Sequence, residues 1–175
     1  MKPLIHVLVC TGMLVAAYEV HSAAAPADVH DLMKNVVSVQ TQVIWDVSNG
    51  AQDDKGNPDA SKLTAADWNK IVAAAGKAKQ ASQTLAQADH LIAAAPGVKI
   101  EGEGNEGSAS AQQVQAALDK NPAEFRTDST ALASTMDQIA TAAKAKNAAK
   151  VFELSGNLDQ VCENCHQKFW YPAQK

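Results

Sequence analysis

The apolar residues of this chain recur at every third or fourth position over long stretches, and this spacing constrains its fold more than any other feature. Such a period places apolar side chains on one face of an α-helix, whereas a half-buried strand would alternate apolar and polar residues. Alanine is abundant and aromatic residues make up only 5% of the sequence, so the predicted helices can approach one another closely. The pattern therefore predicts an all-α fold without strands.

Four long amphipathic helices are predicted, at about positions 29–47, 65–94, 122–146 and 147–169, with a short helical piece at 111–118. Polar loops containing glycine and proline separate the first three, at 49–63 and 96–110. Three of the helix starts carry N-cap signals, which are Asp28 with Asp31, Thr64 with Asp67, and Asn121 with Pro122 and Glu124. The simplest closed arrangement of four such helices is an antiparallel four-helix bundle.

The first 24 residues have the layout of a secretory signal peptide. Lys2 precedes an apolar run at 4–17, and Glu19 interrupts it before it reaches the roughly 20 residues needed to span a bilayer. Small residues follow at 22–25, and we predict cleavage after Ala24, to within a residue or two. The mature domain would comprise residues 25–175, without a further apolar segment of membrane length. Its expected location is the periplasm, an oxidising compartment.

The charge pattern excludes some classes of partner. The formal net charge is −4, and the lysines are scattered rather than clustered in a basic stripe, so nucleic acid is not an expected partner. The acidic stretch at 101–106 is interpreted as a solvated loop, with protein docking as the weaker alternative. The glycine-rich loops are not followed by Gly-Lys-Ser or Gly-Lys-Thr, so no phosphate-binding loop is predicted.

Cys162, Cys165 and His166 form a Cys-x-x-Cys-His pattern in the fourth predicted helix, which is the pattern of covalent haem attachment. Residues three and four apart share one face of a helix, so two thioether bonds and an imidazole can hold one macrocycle and its iron. A structural zinc site would need further ligands, such as His30 or His90. A thioredoxin-like pair would follow a strand, and a disulfide across two helical residues would be strained. We therefore predict one covalent haem c.

A haem-attachment motif at the end of a four-helix chain resembles the class II c-type cytochromes, the cytochrome c′ family. The resemblance is carried by residues 158–166 (LDQVCENCH) and, near the other end, by residues 32–34 (LMK). It implies that the first helix faces the haem and that Met33 occupies its distal side. Low-spin relatives place a Met there as the sixth iron ligand, whereas high-spin relatives put an apolar side chain over a five-coordinate iron.

The residues after the motif depart from the family pattern. Relatives often have an Arg or Lys shortly after the haem His, and Lys168 can take that role beside a propionate. The ending Phe169-Trp170-Tyr171 is aromatic, which is atypical, and the two long loops exceed those of a minimal member. Trp170, one turn after His166, is expected either to pack on the proximal side of the haem or to close the end of the bundle.

Several other residues have two interpretations. Met33 is either the sixth iron ligand or a core residue, and His30 is either a second axial histidine or an exposed residue of the first turn. His90 is expected at the surface and Met136 in the core. Gly156, inside the fourth helix, is expected either to allow close approach of a neighbouring helix or the haem, or to kink the helix.

The resemblance implies one-electron transfer, with His166 as the proximal ligand and Met33 as a sixth ligand that tunes the potential. Electron transfer needs no catalytic side chain, so no enzyme activity is expected, and the partner would be another redox protein. The alternative is a five-coordinate haem that binds or senses NO or CO. Peroxidase activity ranks lower, because the distal side offers only His30 as an acid–base group. Monomer and homodimer both remain open, since relatives often dimerise through helix faces.

Overall fold

The structure, a computed structural model, describes residues 25–171 and is mostly helical, as predicted. The α-helices are α1 (Val29–Leu32), α2 (Ser38–Gly50), α3 (Ala65–Gln87), α4 (Ala111–Lys120), α5 (Pro122–Lys144) and α6 (Ala148–Phe169). A π-helix (Met33–Val37) joins α1 to α2, and a 3₁₀ helix (Ala60–Lys62) precedes α3. The predicted signal peptide lies outside the described residues. Within them, every helix is too short or too polar to cross a membrane.

The first predicted helix runs from Val29 to Gly50, but the π-helix interrupts it. A π-turn holds an extra residue, so it rotates the face that follows it. The sequence period, which assumes an uninterrupted α-helix, predicts an inward stripe with Gln40 as its only polar member, namely Val29, Leu32, Met33, Val36, Val37, Gln40, Val43, Ile44 and Val47. Instead Thr41 is buried, and the inward residues of α2 continue with Ile44 and Ser48. The apolar stripe is nevertheless confirmed on both sides of the π-helix, because Ile44 is buried and Val43 and Val47 pack against the core.

The second predicted helix ends at Gln87, not near position 94. Ala88 is extended, and Arg126 on α5 donates to the Ala88 carbonyl from Nε (3.3 Å) and Nη2 (2.9 Å). Beyond it, β2 (Leu91–Ile92) pairs in parallel with β1 (Ala27–Asp28). These tertiary hydrogen bonds replace the helical ones that the local period predicted. The expectation of a fold without strands is therefore wrong, because β1 and β2 form one short parallel pair.

The local signals at two helix starts have different outcomes. At α3 the capping box forms in full, because Thr64 Oγ1 accepts from Asp67 N–H (3.2 Å) and the Asp67 carboxylate accepts from Thr64 N–H (3.1 Å). At α1 only half of the predicted box forms. Asp28 accepts from the N–H of Asp31 (2.9 Å), but the Asp31 side chain accepts from Asn35 instead of reaching back.

Two clusters of buried side chains make up the core. The larger lies between α2, α3, α5 and α6 and contains Ile71, Met136 and Leu158, which are fully buried. The smaller contains residues of α1, β2, α4, the start of α5 and the end of α6, including Phe169. Met33 packs against both clusters. It therefore lies at their junction.

The first helical segment and α6 run in opposite directions. Trp45 Nε1, on α2, donates to the carbonyl of Ser155 near the middle of α6 (2.9 Å). Val29, at the start of α1, instead shares the smaller cluster with Phe169 at the end of α6. This pairing brings α1 and the π-helix next to the C-terminal third of α6, where Cys162 and Cys165 lie.

Three single-residue expectations concern positions outside this junction. Met136 is fully buried, as predicted for a core residue, and His90 is exposed, as predicted. Gly156 lies within an uninterrupted α6, and a Cβ at this position would meet no atom within 4 Å among the described residues. The predictions that Gly156 allows close approach of a neighbouring helix or interrupts the helix are therefore wrong, while close approach of a haem stays a prediction.

Candidate functional site

A cavity of about 680 Å³ lies between the first helical segment and α6, with α4 and α5 forming further walls. Most of its wall is apolar and includes Val29, Val37, Val114, Leu118, Phe125, Leu132 and Phe169. Pockets of roughly 300–1,000 Å³ bury small-molecule ligands in proteins. Met33, Cys162, Cys165 and His166 all line this cavity. The structure thus brings the four predicted site residues together around one space of ligand size.

Cys162, Cys165 and His166 occupy neighbouring turns of α6, and each is half-buried at the cavity wall. Within the described residues both cysteines are free thiols. Their three- and four-residue spacings put all three side chains on one face of the helix. Two thiols and one imidazole presented this way can bond to the edge of a flat ligand and to a metal at its centre.

Burial governs the chemistry of the two thiols. Desolvation raises the pKa of both, that of Cys165 to about 12, with a further contribution from the carboxylate of Asp128. A redox-active cysteine pair needs the opposite, a thiol pKa lowered so that the thiolate can attack. Furthermore, α6 follows α5 through a turn at 145–147 rather than a strand. Both observations disfavour the thioredoxin-like alternative.

His166 is held in the form that binds metal. Desolvation lowers its pKa, because burial disfavours the charged imidazolium, and the neutral imidazole is the metal-binding form. The ring centroids of Trp170 and Tyr171 lie 6.4 and 6.1 Å from that of His166. Trp170 also lines the cavity and packs against the smaller cluster. Trp170 therefore lies beside the imidazole of His166 and also packs against the smaller core cluster.

Met33 is the first residue of the π-helix and is half-buried at the cavity wall. It packs against the same cluster as Cys165, on the helical segment that runs antiparallel to α6. A π-turn inside a helix frequently marks a functional position. The Met33 thioether can therefore face a group held by α6, either as a metal ligand or as an apolar cover.

His30 is buried, which corrects the expectation of an exposed residue. Its Nε2 lies 2.7 Å from Oε2 of Glu101, and the other carboxylate oxygen of Glu101 pairs with Lys34. The contact with Lys34, followed by that with His30, lowers the pKa of Glu101 to about 2. An ionised Glu101 accepts the hydrogen on His30 Nε2, so this nitrogen is engaged. A bis-His site through Nε2 would have to break this contact.

The acidic loop is consequently part of the cavity wall. Glu101 lines the cavity even though its side chain is 51% exposed, and the neighbouring Ile100 is buried. The Glu103 carboxylate accepts from the N–H of Ile100 (3.1 Å) and of Ala111 (3.4 Å), which fastens the loop to the start of α4. The interpretation of 101–106 as a merely solvated loop is therefore wrong for its first residues.

Acid should destabilise the wild type more than the variant Glu101→Gln. Because the pKa of Glu101 falls from 4.5 to about 2 on folding, its stabilisation is present above about pH 4.5 and is lost as the pH falls toward 2. Solvent screening of this half-exposed side chain keeps the effect to about 1 kcal/mol or less. Urea unfolding at pH 5 and pH 3 measures it. Glu106→Gln, in the same loop, should behave like the wild type, and an equal loss in Glu101→Gln would contradict the prediction.

Lys168, which the resemblance places beside a propionate, pairs with Glu124 (3.0 Å) and Asp128 (3.1 Å). These contacts, that with Glu124 first, raise the pKa of Lys168. The side chain of Glu124 therefore contacts Lys168 and does not complete the predicted capping box at the start of α5. Asn121 is the N-cap residue and Pro122 the first helical residue, as predicted, but Asn121 makes no side-chain capping bond. The ion pairs tie the start of α5 to the end of α6.

Sequence reasoning missed several residues of the cavity wall. Ser129 has a signal, because it lies four residues after Phe125 and three before Leu132 on the inward face of α5. Thr41 has one too, because it lies four residues after Val37 and three before Ile44, which are both buried. Glu101 has no local signal, since its partner His30 is 71 residues away. The short helix predicted at 111–118 is confirmed as α4, but the capping box that Ser110 and Gln113 form at its start was missed.

No known family model, curated protein or solved structure matches this chain. The function proposed below accordingly rests on the residues of the cavity.

Proposed function

We propose that this protein is an exported mono-haem c-type cytochrome that carries single electrons. Cys162 and Cys165 hold haem c through two thioether bonds, His166 is the proximal iron ligand, and Met33 is the sixth ligand. The observation that carries the proposal is that these four residues line one apolar cavity of about 680 Å³. When bound, the haem supplies the redox chemistry, a cycle between ferric and ferrous iron.

The residues of the cavity fit a haem. The volume is in the range of ligand pockets, and an apolar wall suits a macrocycle. The donors are two thiols and one neutral imidazole, presented from one helix face. Thr41 and Ser129 also line the cavity, and in the described part of the chain their buried hydroxyls have no hydrogen-bond partner. Orphaned hydroxyls of this kind support a polar ligand in the cavity.

The chain's own residues bind and orient the haem and exclude water from it. The rings of Phe125 and Phe169 pack edge to face, with centroids 5.2 Å apart and planes at 82°, and form an apolar part of the wall. Met33 and His166 together as iron ligands would favour the reduced state and raise the potential. None of these roles requires a side chain that acts as acid, base or nucleophile, so we do not propose an enzyme.

The proposed fold is an antiparallel four-helix bundle, made of the first helical segment, α3, α5 and α6. It is supported by the opposite directions of α2 and α6 and by the short turn at 145–147, which is typical of antiparallel neighbours. The signal peptide predicted at 1–24 would direct the chain to the periplasm. There it would exchange electrons with another redox protein, either as a monomer or as a homodimer.

A second function, binding of NO or CO at a five-coordinate iron, is favoured by His30. Its ring is buried in the cavity wall and is oriented by Glu101 at 2.7 Å. A fixed polar group on the distal side suits a small bound ligand better than it suits a closed electron carrier. In this case Met33 would shield the iron without binding it.

Production of the wild type together with haem-attachment machinery tests the proposal. We expect its mass to increase by one haem, a low-spin ferric spectrum, and a ferrous spectrum that carbon monoxide does not change. A high-spin spectrum with ready binding of carbon monoxide would favour the second function. A chain that never gains covalent haem would overturn both.

A further inference from the structure

We propose that the hydroxyls of Thr41 and Ser129 bind the propionate carboxylates of the haem and so position it in the cavity. The proposal rests on the proposed function and names binding residues for it. Thr41 reaches the cavity from α2 and Ser129 from α5, and each is 3% exposed. The two residues therefore flank the cavity from helices other than α6, which carries the attachment motif.

The hydroxyls of both residues lack any hydrogen-bond partner among residues 25–171. An unpaired buried hydroxyl destabilises a folded protein, and such groups are normally satisfied by protein, water or ligand. Other helical hydroxyls of this chain donate to the carbonyl four residues earlier, at 2.7 to 3.1 Å, namely those of Ser82, Thr84, Thr127, Thr130 and Thr135. Thr41 and Ser129 do not use this local partner, which leaves them available to a ligand.

Several other donors of the cavity wall are already engaged. The buried ring of His30 and the exposed ammonium of Lys34 both contact the carboxylate of Glu101. The indole N–H of Trp45 donates to the carbonyl of Ser155 (2.9 Å). The carboxylates of a haem are its strongest hydrogen-bond acceptors, and burying one without a donor is unfavourable. The hydroxyls of Thr41 and Ser129 are buried and unpaired among the described residues, so they are donors that meet this need.

The variants Thr41→Val and Ser129→Ala test the proposal in the haem-loaded protein. Each removes a hydroxyl with little change in shape. Loss of a bond to the haem should lower the thermal midpoint by about 2–4 °C. It should also lower the reduction potential, because a carboxylate without its donor is more negative and favours ferric iron. Ser48→Ala is the matched control, since Ser48 also has a buried hydroxyl without a described partner but lies outside the cavity wall.

Ser48→Ala should leave the potential unchanged and should not lower the midpoint, because it removes an unpaired group. If Thr41→Val and Ser129→Ala behave like this control, their hydroxyls do not contact the haem and the proposal is overturned. The result for each variant decides only whether the hydroxyl that it removes contacts the haem. A wild type that carries no haem, which its mass reveals before any variant is made, would overturn the proposed function and this inference together.

Discussion

Replacing Cys162 and Cys165 together by alanine should abolish covalent haem attachment, reducing it from one haem per chain to none. Each thiol forms one thioether bond to the macrocycle in the proposed site, and both line the same cavity. His166 alone would bind haem only through its iron, and such haem is released on denaturation. Haem staining after a denaturing gel and the intact mass both measure attachment.

Cys10→Ala is the control for this experiment. Cys10 belongs to the predicted signal peptide and lies outside the described residues, so its loss should leave attachment intact. The single variants at Cys162 and Cys165 should each retain one bond and shift the absorption bands. Haem that stays covalently bound to the double variant would contradict the proposed site, and so would its loss from Cys10→Ala.

Local sequence signals predicted the helices well where only neighbouring residues decide the outcome. The full capping box of Thr64 and Asp67 fixes the start of α3 from side chains three residues apart. The end of α3 depends instead on Arg126, which bonds to Ala88 from another helix. The pairing of β1 with β2 likewise joins positions more than 60 residues apart, from Ala27 to Leu91. Contacts of this range leave no periodic signal in the sequence.

The residues of the candidate site likewise fall into those predicted from local spacing and those that depend on distant contacts. The spacing of Cys162, Cys165 and His166 is local, so their common face on α6 could be predicted from the sequence. Thr41 and Ser129 also lie at helical spacing from buried neighbours, so the sequence carries a signal for their inward side chains. His30 was expected to be exposed, but it is buried and contacts Glu101 in a distant loop. The residues proposed to bind the haem covalently were thus accessible to sequence reasoning, whereas the contact between His30 and Glu101 needed the fold.

Replacing Met33 by leucine in the haem-loaded protein should convert a low-spin haem to a high-spin one. Leucine keeps the apolar volume at the junction of the two clusters, and such swaps typically destabilise by less than about 1.5 kcal/mol, but it removes the sulfur that would bind the iron. The ferrous protein should then bind carbon monoxide readily, and the reduction potential should fall because a Met ligand raises it. Ferric and ferrous optical spectra, with and without carbon monoxide, measure these changes.

Met136→Leu separates ligation from packing, since it makes the same substitution at a fully buried Met outside the cavity wall. It should keep the low-spin spectrum and the resistance to carbon monoxide. If Met33→Leu stays low-spin, Met33 is not the ligand, and His30 becomes the candidate because it also lines the cavity. As a ligand, His30 would have to leave its contact with Glu101, and His30→Ala would then produce the high-spin spectrum. A wild type that is already high-spin would instead assign Met33 to the distal shield of a gas-binding haem.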